Sequence, residues 1–118
     1  MIVPMKSVLY RLLSGVQKAK IMEELQPELE KIRAAAREAG TDSQKLINEL
    51  YRISPPIPKK NGTMKPKPDV VKLGSKQKAV KKMIFFYHPD KIDKSNLKYK
   101  FLCEEITKIL TEHSEQIS

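Results

Sequence analysis

"SKQKAVKKMIFFYHPDK" runs from Ser75 to Lys91, and the order of its residues settles the local architecture. Ala79, Val80, Met83, Ile84 and Tyr87 recur at helical spacing, while Lys78, Lys81 and Lys82 fall largely on the other side. This spacing predicts an amphipathic helix over 75–87, with Ser75 as its N-cap. "MIFFY" has strand propensity when taken alone, but its helical flanks outvote it. Pro89 fixes its own φ and biases His88 away from helical ψ, so the helix must end at or before His88. His88, Pro89 and Asp90 then open a stiff loop over 88–94. A stiff loop loses little entropy on docking, which suits recognition.

A second amphipathic run follows this corner. Tyr99, Leu102, Cys103, Ile106, Ile109, Leu110 and Ile117 form an apolar ladder that predicts a helix over 95–115. Upstream, Leu46, Ile47, Leu50 and Ile53 predict a helix over 42–53. Thr41 and Gln44 have capping-box spacing at its start, and Ser54-Pro55-Pro56 stops it. The intervening loop, 54–74, contains "PPIPKKNGTMKPKPD", which cannot sustain a helix and is expected to be extended and partly mobile. Before it, Val8, Leu9, Leu12, Leu13, Val16, Ile21 and Leu25 fall near helical spacing. Pro27 would kink a continuous helix and suits the first position of a new one, with Glu28 and Glu30 in its first turn. Leu29, Ile32, Ala36 and Ala39 make the next stripe, and Gly40 ends it. The expected fold is all-α, with an N-terminal helical extension over 1–40 and a domain over 41–118.

Composition limits what such a fold can do. Of 118 residues, 40% are hydrophobic and none is Trp, enough for a small bundle and too little for a large enclosed active site. The single cysteine, Cys103, excludes an internal disulfide and any multi-cysteine zinc site, and is expected to be a small core residue. That usage suits a reducing compartment, cytoplasm or nucleus. Lys6, Arg11, Lys18 and Lys20 without an acid resemble a mitochondrial transit segment, but an ordinary first helix explains the same residues. No apolar run approaches the length of a membrane span. The net charge is +9, and 56–100 alone holds 13 lysines against Asp69, Asp90 and Asp93, a local +10. Such a block implies an acidic partner: nucleic acid, anionic lipid or an acidic protein face.

Within that block, "AVKKMIFFYHPDK", Ala79 to Lys91, resembles the second helix and signature loop of J-domains, the co-chaperones of the 70-kDa heat-shock chaperones. The pattern is an alanine, any residue, two basics, an aliphatic, three variable positions, an aromatic, then His-Pro-Asp and a basic residue. "KYKFLCEEITKIL" occupies the place of the family's third helix, including the Lys100-Phe101 pair near its start. The resemblance covers roughly Asp42 to the C-terminus. The long loop between the first two helices is similar to the auxilin subgroup, and "DVVKLGSKQKAV" sits where that subgroup leads into helix two. That subgroup's tryptophans are absent, and Phe86 stands where the family often has a basic residue.

The resemblance implies an antiparallel helix pair with a preceding helix, and a role in binding the chaperone and stimulating its ATP hydrolysis. Lys78, Lys81 and Lys82 would meet an acidic face of the ATPase domain. Asp90 would pair with a cationic group there, His88 and Pro89 would present it, and Lys91 would add charge. Such a module is not an enzyme and needs no cofactor. Residues 1–40 are left for a possible second protein partner.

Other readings of the same residues carry less. Adjacent His and Asp side chains rarely align for proton transfer, and no Ser or Cys nucleophile lies nearby in sequence. His88, Asp90, Cys103 and His113 lack metal-ligand spacing. His113 is expected to be solvated near a helix end. Nucleic-acid binding through the lysine block lacks arginines for base readout and an obvious stacking platform. A degenerate J-like scaffold that binds a partner without stimulating ATP hydrolysis is a further alternative.

Overall fold

The computed structural model describes the backbone of residues 3–57, 65–88 and 97–117, and side chains from residue 19 onward within those spans. The described residues are helical with no strand. The elements are α1 (Val3–Ala39), α2 (Ser43–Ile53), α3 (Val70–Leu73), α4 (Lys76–Tyr87) and α5 (Leu97–Gln116). The all-α expectation therefore holds. No described helix is long and apolar enough to cross a membrane.

Local chemistry accounts for most helix ends. Gly40 closes α1 at φ 57°, the left-handed region that glycine enters without a Cβ penalty. Ser75 caps α4 by accepting from Lys78 N. The α2 helix stops at Ile53, immediately before Ser54-Pro55-Pro56. Its start differs from the sequence expectation. Asp42, not Thr41, is the N-cap and accepts from Lys45 N at 3.1 Å. The carboxylate carries a charge the threonine hydroxyl lacks, which favours it at a helix N-terminus. Gln44 is thereby released from a capping box and reaches across to the 65–74 segment.

The expected break at Pro27 does not occur, and α1 runs through it. A mid-helix proline costs about 3 kcal/mol, because it lacks an N–H and crowds the carbonyl four residues back. Burial on both sides of it offsets that cost: Leu25, Leu29 and Ile32 are fully buried in the same core as α2, α4 and α5. Each such side chain contributes about 1.5–3 kcal/mol.

One apolar core joins four helices. Leu46, Ile47 and Leu50 of α2 meet Ala79, Val80, Met83 and Tyr87 of α4. Leu102, Cys103, Ile106 and Leu110 of α5 close the far side. The α4 and α5 helices pack side by side and antiparallel. Gln77, near the start of α4, donates to the Ser114 carbonyl and accepts from its hydroxyl near the end of α5, both at 3.0 Å. Arg33 with Glu105 and Lys98 with Glu24 bridge α1 to α5, each at 3.6 Å. Such solvent-exposed pairs contribute well under about 1 kcal/mol each.

Candidate docking face

The α4 helix presents two unlike sides. Ala79, Val80, Met83 and Tyr87 are buried, and Lys78, Lys81 and Lys82 are exposed. The sequence expectation for these lysines is met in position: all three stand in solvent on one helix. His88 is the C-cap, with φ −61° and ψ 135°, and its N–H bonds the Phe85 carbonyl at 3.3 Å. Extended backbone there is what the following proline demands. The His88 side chain is exposed. Pro89, Asp90 and Lys91 lie outside the described residues, as does the rest of 89–96.

Tyr87 makes the helix end firm. It is fully buried, and its hydroxyl donates to the Ser54 carbonyl at 2.6 Å, tying the end of α4 to the end of α2. Burial raises its pKa far above the ordinary tyrosine value. The phenol thus stays a donor at any physiological pH.

Three other side chains hold the ends of the long loop. Tyr99 accepts from Ile57 N at 2.6 Å. Tyr51 donates to the Lys65 carbonyl at 3.0 Å. Gln44 accepts from Val70 N at 2.7 Å and donates to the Pro68 carbonyl at 3.2 Å. The described ends of the 54–74 segment are thus hydrogen-bonded to the bundle. Residues 54–57 and 65–70 are pinned to the bundle, and 58–64 lie outside the described residues. Within the same segment α3 forms one short turn, capped by Asp69 and closed by Gly74 at φ 74°. Its signal was legible, since aspartate before and glycine after the short stretch Val70–Leu73 is ordinary cap chemistry.

At the other end of the bundle His113 departs from expectation. It is 4% exposed rather than solvated, and its Nε2 lies 2.8 Å from Ser43 Oγ, itself fully buried. Burial, with the nearby Lys76 charge, lowers the His113 pKa, against the opposing Gly40 backbone and Asp42. The neutral ring is therefore a fixed brace between α5 and the start of α2. A cleft of about 550 Å³ beside it is lined by both signs of charge, including Arg33, Arg37, Glu105 and Glu112. Cys103 is buried as expected, with its thiol pushed up to about 11 by burial, and so it is unreactive. Among the described residues no three His, Cys, Asp or Glu side chains gather closely enough to hold a metal ion.

Compared with protein-family models, curated proteins and solved structures, the chain matches none.

Proposed function

We propose that this chain is a J-domain co-chaperone module that binds a 70-kDa heat-shock chaperone and stimulates its ATP hydrolysis. The observation that carries the reading is the end of α4. Three exposed lysines line one helix whose last turn is locked by the buried Tyr87, and His88 follows at once in extended conformation at the surface. The antiparallel packing of α4 on α5 and the preceding α2 agree with the order of helices that the sequence resemblance implies. Charge guides encounter, and the stiff corner supplies the specific contact. In this role the protein performs no chemistry of its own; the ATP site belongs to the partner.

A single-turnover ATPase assay with a 70-kDa chaperone tests the proposal. Wild type accelerates hydrolysis, while His88→Gln and Asp90→Asn lose the acceleration with the fold intact. Equal stimulation by all three proteins refutes it. Replacing Lys78, Lys81 and Lys82 together by Ala should weaken the effect at low salt and matter less as screening rises.

A further inference from the structure

Beside α4 lies a groove that shares only Lys81 and Lys82 with the face used in the co-chaperone reading. It encloses about 780 Å³ between the 65–69 segment, the last residues of α3 and the outer flank of α4. Phe85, Phe86 and Leu73 contribute apolar surface, joined by Pro66 and Pro68. Phe85 is 54% exposed, on a chain with only three phenylalanines. Five lysines surround it: Lys65, Lys67, Lys72, Lys81 and Lys82. All five are exposed, and among the described residues no ion pair engages any of them. The acidic residue among the described lining, Asp69, is already committed: its carboxylate accepts from Val71 N at 2.9 Å and Lys72 N at 3.2 Å.

We propose that this groove docks an acidic peptide segment of a partner protein through one aromatic or aliphatic side chain seated on Phe85. Charge complementarity selects the occupant. Five ammonium groups around an apolar floor attract carboxylates and leave a place for an apolar anchor between them. The loop side of the groove is built in advance, because Tyr51 and Gln44 hold Lys65 and Pro68 in place. Little ordering entropy is then lost on binding. Single-stranded nucleic acid fits less well. The Phe85 and Phe86 rings meet edge to face at 65°, with centroids 6.5 Å apart, and offer no parallel platform for successive bases. Lysine also lacks the planar fork that reads base edges. The inference does not depend on the chaperone role, although Lys81 and Lys82 belong to both faces.

Fluorescence anisotropy with the full chain, and no chaperone present, tests it. The probe is a labelled peptide of about a dozen residues with one Phe flanked on both sides by Asp and Glu. One control peptide replaces the Phe by Ser, another replaces the acids by Asn and Gln, and an oligothymidine of similar length tests nucleic acid. The acidic Phe peptide should bind about tenfold more tightly than either control peptide or the oligonucleotide. Phe85→Ser and the double change Lys67→Glu with Lys72→Glu should each reduce its binding about tenfold while leaving helical circular dichroism unchanged. If Phe85→Ser loses the fold, the lysine pair, which lies on the surface, decides. Absence of binding, equal binding of the Ser peptide, indifference to these substitutions, or preference for the oligonucleotide overturns the proposal.

Discussion

The chain has two histidines, and they lie toward opposite ends of the α4–α5 pair with opposite fates. His88 follows α4, exposed and in extended conformation. His113 lies in the last turns of α5, buried, bonded to a hydroxyl 70 residues away in sequence. The contrast teaches that burial here is decided by what the rest of the chain lays over each position. At the His113 end, α2 begins directly above the ring. At the His88 end, Tyr87 fills the interior one residue earlier, and the histidine is left outside.

The sharpest way to break this contrast is His113→Ala. It removes a packed ring and strands the buried Ser43 hydroxyl, so the expected loss is about 2–4 kcal/mol in a urea-unfolding measurement. The matching change at the other end, His88→Ala, should stay within about 0.5 kcal/mol, as surface substitutions do. Comparable losses at both positions would mean the two environments are not distinct. Tyr87→Phe lies between them. It keeps the packing and deletes one buried hydrogen bond, leaving the Ser54 carbonyl unpaired, for a loss of about 1–2 kcal/mol.

Acid provides a smaller test of the same contrast. The folded state holds the His113 pKa below its ordinary value of 6.5, chiefly by burial. The unfolded chain therefore takes up a proton first as the pH falls. The stability contribution from keeping this ring neutral is complete above about pH 6.5 and declines as pH drops below it. Unfolding midpoints measured between pH 7.5 and about 5.5 should fall more steeply for wild type than for His113→Gln. Equal slopes for wild type and His113→Gln would overturn the assignment.

Much of the helical architecture was legible because its causes are local. The apolar ladder from Tyr99 to Ile117, the Ser75 cap and the Gly40 end each need only neighbours within a few residues, and the observed helices follow them closely. Pro27 was misread for the opposite reason. Its local cost is real, but the burial of Leu25, Leu29 and Ile32 against other helices outweighs it. In the candidate site, the exposure of Lys78, Lys81 and Lys82 followed from periodicity alone. The groove around Phe85 did not, because it needs the 65–69 segment returned to α4 by Tyr51 and Gln44.

The amino-acid order by itself determined which faces are apolar, where α2 stops, where α4 begins and stops, and that positive charge concentrates within residues 56–100. These depend on side-chain period, cap chemistry and the fixed φ of proline. Tertiary structure alone decided the partners of the polar side chains. Ser43 with His113, Gln44 with Val70 and Tyr87 with Ser54 are separated by 70, 26 and 33 residues. A hydrogen bond depends on distance and angle in space, and spacing along the chain carries neither until the core has brought the helices together.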